Sequence, residues 1–316
     1  MDVIKPKVQL IVPAATASKV CDIVTAVGAN PIMGCTTPDE AQEVSRLVDA
    51  TFLSFGTPTT EETARAVLDA RIVVVDPVGV GLPGRGKIIQ EWLDARARVC
   101  EANEFADYCT IIKGNASEIS ALCELNRIAC FEKIAARSVT TMSEGSVVSL
   151  DKLELSNEPV SELTSSFIED NFRELRGLAL GSMATIVMTG SVDVIIGYPS
   201  GGFVVHSCST SMFDAYAGAG CALGALCAVK VAESYRRCIH DPQQPFNGEI
   251  ILKSLADVAV RYRQAGAVAD ARSEGPGSFQ LNLLDDLYNI SSMKNKSAVD
   301  EFKRTLDLVE KRNRNG

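Results

Sequence analysis

The chain has 316 residues, 46% of them hydrophobic, and a net charge of −9. That length and apolar content suffice for a large α/β core. The acidic balance, with no polybasic run, argues against a nucleic-acid partner, and no apolar stretch reaches the ~18 residues of a membrane span. Ten cysteines occur without a CxxC pair, and His206 and His240 are the only histidines, so neither a zinc site nor a disulfide scaffold is expected. The polar start Met1–Lys7 carries no secretory signal, which points to the cytoplasm.

In chain order, Val8–Val12 is predicted as a strand and Ala17–Val27 as a helix ended by Gly28, with Asn30-Pro31 as a turn. Pro38-Asp39-Glu40 opens a second helix through Val48. Phe52–Phe55 follows as a strand, Thr60–Ala70 as a helix and Ile72–Val75 as a strand. Asp76–Gly86 is a loop before a helix over Ile88–Arg98, then Cys109–Ile112 is a strand and Ser117–Leu125 a helix. The βα alternation predicts a three-layer α/β sandwich, its mostly parallel sheet covered by helices on both faces.

Between Ser138 and Ser165 the apolar periodicity weakens, which reads as a surface insertion with a small hairpin near Ser146–Leu150. Phe167–Gly181 is helical and Thr185–Met188 a strand. Val192–Ile196 and Phe203–His206 form an antiparallel hairpin at the sheet edge. Ala219–Tyr235 and Leu252–Ala271 are long helices. The domain organisation is one domain over 1–290 and a charged tail over 291–316.

Four stretches carry chemistry. Tyr216-Ala217-Gly218-Ala219-Gly220-Cys221 opens the most apolar helix. Its first-turn N–H groups lack intrahelical partners and suit an anion such as phosphate, and the helix dipole is expected to lower the Cys221 pKa toward thiolate. The plainer reading is a glycine-rich helix start in which Cys221 is a small buried hydrophobe. Val73–Val75 leads to Asp76 at a strand's carboxyl end, where ligands of open α/β sheets sit; Asp76 is placed for Mg²⁺ or a catalytic water. The GxGxxG that follows, Gly79 to Gly84, is not read as a dinucleotide fingerprint. Asp76-Pro77 separates strand from glycines, Pro83 interrupts the turn, and this is not the first strand.

Lys113-Gly114-Asn115-Ala116-Ser117-Glu118 is strand, tight turn and helix. Asn115 or Ser117 caps that helix and Glu118 suits its first turn; alternatively Lys113 reaches a phosphate and Glu118 holds Mg²⁺ through water. Met188-Thr189-Gly190-Ser191-Val192-Asp193 is a strand-end turn, and Ser273–Phe279 a rigid loop.

Taken in order with Gly28–Met33, Gly56-Thr57, Ala265-Gly266 and Leu284-Asp285, these stretches resemble the hydroxyethylthiazole kinase family over residues 20 to 288. The resemblance implies a ribokinase-like fold and a homotrimer with active sites between subunits. It implies phosphoryl transfer from ATP, with Mg²⁺, to the hydroxyl of hydroxyethylthiazole, a thiamine precursor. By the same resemblance Cys221 is the catalytic base, and Met33, Gly56, Thr57 and Gly218 lie on the substrate side. Lys113 (in place of an arginine), Asn115, Thr189, Gly190, Ala219 and Gly220 serve ATP and its phosphates, and Asp76 and Glu118 serve the metal.

The sequence departs from the family pattern at Val12-Pro13 and Cys21-Asp22, where Thr-Asn and Ala-Asn are usual. It departs also at Ser54, in place of an asparagine, and at Ala219, in place of a threonine. Two alternatives stay open: another ribokinase-like kinase acting on a hydroxymethylpyrimidine-type alcohol, or a catalytically silent nucleotide-binding paralogue.

Overall fold

The computed structural model describes residues 5–33, 37–56, 60–103, 108–126, 146–149, 172, 174–190, 193–199, 201–206, 210–241 and 243–292. Its strands are β1 (Lys7–Ile11), β2 (Asn30–Ile32), β3 (Ala50–Ser54), β4 (Ile72–Asp76), β5 (Cys109–Asn115), β6 (Ser146–Ser149), β7 (Thr185–Thr189), β8 (Asp193–Ile196) and β9 (Gly202–His206). They form one sheet in the order β2-β1-β3-β4-β5-β7-β8-β9-β6. The pairings from β2 to β7 are parallel, and those among β7, β8, β9 and β6 are antiparallel.

The helices are α1 (Ala14–Ala26), α2 (Pro38–Leu47), α3 (Glu61–Ala66), α4 (Pro83–Ala102), α5 (Ala116–Leu125), α6 over 174–182, α7 (Met212–Ala215), α8 (Ala219–Ile239), α9 (Gly248–Ala271) and α10 (Pro276–Ser292). None is long and apolar enough to cross a membrane.

Strands β3 and β4 are buried along their whole length because both faces are covered. Strand alternation divides their side chains. Phe52, Val74 and Ile111 join one core with α1, α8, α9 and α10. Leu53, Val73, Val75 and Ile112 join the other with α3, α4, α5 and α6. Helix α8 lies against β1, β3 and β4. It comes close because Gly224 offers no side chain there: a Cβ would stand 2.4 Å from Phe52 Cε2.

Several elements differ from the sequence reading. Asn30-Pro31 is not a turn but the start of β2, where a proline is tolerated on an edge strand. Helix α4 begins at Pro83, five residues before Ile88, because proline's fixed φ suits a first helical position. Glycines 84 and 86 therefore lie inside a helix. Ser146–Ser149 is no isolated hairpin but a ninth strand on β9; the remainder of 138–165 and residues 293–316 lie outside the described residues. The Ser273–Phe279 loop is short, since α10 already starts at Pro276.

Candidate active site

The carboxyl ends of the central strands bring the candidate residues together. Ser54 and Asp76 are register partners at the ends of β3 and β4, and Asn115 and Thr189 at the ends of β5 and β7. Thr189 Oγ1 donates to the Gly114 carbonyl at 3.3 Å, tying the last two ends together. Asn115 caps α5: its Oδ1 accepts from Glu118 N at 2.9 Å, and Glu118 Oε2 accepts from Asn115 N at 2.8 Å. This reciprocal capping box shows that the structural role of both residues is real. It also fixes the Glu118 carboxylate beside the strand end.

Lys113 Nζ lies 3.5 Å from Asp76 Oδ2, and both side chains are buried. Burial works against the Lys113 charge, but Asp76 and then Glu118 outweigh it and hold the ammonium above its ordinary range. Burial pushes the Asp76 carboxyl up, with Lys113 pulling the other way. Glu118 is raised too, first by burial and then by the charge of Asp76. Asp76 Oδ1 is buried with no hydrogen-bond partner among the described residues. One ammonium thus faces two carboxylates, and one carboxylate oxygen is left over. That donor set fits a hard divalent cation whose other ligands are water or phosphate oxygen, although no cluster of three His, Cys, Asp or Glu side chains suited to a metal occurs among the described residues.

Helix α8 starts at Gly218, whose φ of +103° is left-handed. A Cβ there would also stand 3.1 Å from Thr16 Cγ2. A Cβ on Gly220 would stand 2.9 Å from Lys113 Nζ, so glycine lets the ammonium rest against the helix start. Ala219 N is spent on the Tyr216 carbonyl at 3.2 Å, so it is not available to an anion as the sequence reading had it. The first-turn amides of Gly220 and Cys221 remain, together with Lys113 Nζ.

The thiol expectation is corrected. Burial pushes the Cys221 thiol up, Asp76 adds to this, and Lys113 with the Thr16 and Ser54 hydroxyls only partly offsets it. At neutral pH the group is a hydrogen-bonded thiol, because desolvation outweighs the positive surroundings of the helix start.

A cavity of about 660 Å³ opens beside this cluster. Lys113, Asn115, Thr189, Gly190, Ala219 and Gly220 all line it, so the six residues assigned to nucleotide and phosphate share one space. Asp76 adjoins it through its ion pair with Lys113, and Glu118 and Cys221 lie close enough to act on that ammonium. Gly56 is buried against Pro13, where a Cβ would stand 2.3 Å from Pro13 Cγ, and its N–H donates to Ser54 Oγ at 3.4 Å. Met33 is not brought to this cluster: it follows edge strand β2, is 42% exposed, and is separated from β4 by β1 and β3. Thr57 lies outside the described residues.

Sequence reasoning missed four residues here. Arg263 and Asp193 form a buried ion pair beside Gly190. Phe213 stacks on Tyr262 at 4.8 Å between ring centroids, and both line the cavity. Nothing in local spacing signals these contacts, which join positions as far as 70 residues apart. A buried arginine in the apolar pattern of α9 was the one available cue.

A mostly parallel sheet, helices on both faces and a glycine-started helix at the strand ends place the chain in the ribokinase-like α/β class. A solved structure titled hydroxyethylthiazole kinase protein from Pyrococcus horikoshii OT3 superposes with a TM-score of 0.61 at 22% identity, covering 92% of this chain and 90% of that one. The profile of the Hydroxyethylthiazole kinase family matches residues 1–131 and 143–293, and the chain belongs to that family of alcohol-directed phosphotransferases. Among curated relatives, hydroxyethylthiazole kinase of Desulfitobacterium hafniense is 27% identical, covering 98% of this chain and 92% of its own length. Hydroxyethylthiazole kinase 2 of Clostridium botulinum is 25% identical, covering 90% of each.

Proposed function

We propose that this chain transfers the γ-phosphoryl group of ATP to the hydroxyl of hydroxyethylthiazole, a salvage step toward thiamine. The observation that carries the reading is the single cavity in which Lys113, Asn115, Thr189, Gly190 and Gly220 converge on the start of α8. In this reading the cavity takes ATP. The Gly220 and Cys221 amides and the Lys113 ammonium hold the phosphoryl oxygens as charge gathers on them. The substrate oxygen forms the new bond to phosphorus, the bond to the ADP oxygen breaks, and the hydroxyl proton passes to the thiolate form of Cys221.

Asp76 and Glu118 would hold Mg²⁺, directly or through water, since Asp76 Oδ1 has no hydrogen-bond partner among the described residues. Bound there, the ion would neutralise phosphate charge. Lys113 pairs with Asp76, and the Asn115 N–H fixes the Glu118 carboxylate.

The same reading places the substrate near Gly218 and the Gly56-Thr57 segment, within one kinase domain over 1–290, in a cytoplasmic homotrimer. Met33 supports the last part: an exposed methionine beyond an edge strand is suited to completing a neighbouring subunit's site. A second alcohol acceptor, such as a hydroxymethylpyrimidine, is favoured by one observation. Pro13 packs on Gly56, and the Ser54 hydroxyl bonds to Gly56 and Cys221, so this wall differs from the family pattern in shape and in hydrogen bonding.

Release of ADP with each alcohol separates the readings. Turnover with hydroxyethylthiazole at least about tenfold above the pyrimidine alcohol is expected. The reverse preference selects the second acceptor, and ATP binding without turnover on any alcohol selects the silent paralogue.

A further inference from the structure

Gly190 is held from both sides. Its N–H donates to Asp193 Oδ1 at 3.3 Å, and its carbonyl accepts from Arg263 Nη2. Arg263 is in turn locked to Asp193 by two parallel bonds, Nε to Oδ2 at 2.6 Å and Nη2 to Oδ1 at 2.6 Å. Asp193 is fully buried and Arg263 nearly so. The pair joins the first residue of β8 to the middle of α9, and Gly190, Asp193 and Arg263 all line the 660 Å³ cavity. On the other side, Thr189 Oγ1 reaches the Gly114 carbonyl next to Lys113. A single chain of hydrogen bonds therefore runs from α9 through the Thr189-Gly190 turn to β5.

A buried charge pair of this kind is a poor device for stability alone, because desolvating both charges offsets their attraction. Its geometry is instead specific: the planar arginine fork fixes both the carboxylate and the adjacent peptide.

We propose that Arg263 is a positioning residue for the phosphate donor, acting through Asp193 to hold the Gly190 peptide in the conformation that receives ATP. The inference rests on the reading of this cavity as the donor site. It assigns Arg263 no role toward the alcohol, whose site lies near Gly218 and Cys221.

The test is steady-state kinetics of Arg263→Lys and Asp193→Asn, with ATP binding measured calorimetrically on the same proteins. Lysine keeps the charge but cannot span Asp193 and Gly190 together. The expected result is that KM for ATP and its Kd rise about tenfold or more, while KM for the alcohol stays within about twofold. A second variant, Arg263→Ala, should regain donor affinity when methylguanidinium is added, because the cation re-forms the fork in the space left behind. If the variants melt at the wild-type temperature and bind ATP as the wild type does, the inference is overturned. Equal rises in both KM values, or no response to methylguanidinium, would overturn it in favour of a purely structural pair. Failure of the wild type itself to bind ATP would instead overturn the reading of the cavity.

Discussion

Cys221 lies in the first turn of α8 with its thiol in reach of the Thr16 and Ser54 hydroxyls, and burial keeps the proton on sulfur. If the thiolate is the base, its supply must grow as pH rises toward the raised pKa. The expected profile of log kcat/KM therefore climbs with a slope of about one per pH unit through neutral pH and is still rising at about pH 9, the ordinary thiol range. A flat profile there contradicts the base role. Cys221→Ala should lower kcat by about 10²- to 10⁴-fold without unfolding, and Cys221→Asp should retain activity with its rise moved to lower pH. Lys113 is the second test at this scale. Lys113→Met leaves Asp76 and Glu118 facing each other without their cation, so kcat/KM for ATP should fall by about 10²-fold or more; initial rates across ATP concentrations check this.

At the scale of elements, two buried contacts hold the sheet and its helices in the geometry the site needs. Arg96 of α4 is fully buried and donates to the carbonyls of Leu68, Arg71 and Cys109 and to Thr110 Oγ1. Arg96→Ala orphans those acceptors, and a loss of about 3 kcal/mol or more is expected from urea unfolding. Gly224 lets α8 approach β3, with Phe52 occupying the space of its missing side chain. Gly224→Ala should cost about 1–3 kcal/mol and lower activity together with stability, because the helix carrying Cys221 must shift.

Legibility followed the same division. The buried strands Phe52–Phe55 and Ile72–Val75 were plain from their apolar runs, and the start of α8 from its glycines. Strand β2 and the early start of α4 were not, because proline reads as a breaker whereas an edge strand and a first helical turn both admit it.

For the whole molecule, the cluster at the strand ends was legible because its residues sit on short strand-turn-helix units whose spacing is fixed locally. The Arg263–Asp193 clamp and the raised Cys221 pKa were not, since both arise from burial and from contacts between distant segments. Met33 marks the limit at this scale. It lies beyond β2, and with strands about 4.8 Å apart the three strand spacings from β2 to β4 put it roughly 14 Å across the sheet from Asp76. The proposed homotrimer with shared sites would account for this placement. Sedimentation should then give three times the 33.8 kDa chain mass. Mixing a Met33→Asp variant with Cys221→Ala, each nearly inactive alone, should restore part of the activity after subunit exchange. A monomer in sedimentation, or no complementation, removes the shared site.

In the proposed reaction the start of α8 and Lys113 receive the phosphate to be transferred. A crystal structure with a non-hydrolysable ATP analogue and Mg²⁺ tests it most directly. The terminal phosphate is expected within hydrogen-bonding distance of Lys113 Nζ and the Gly220 amide. A nucleotide bound elsewhere, or turned with its base toward Gly220, would contradict the account.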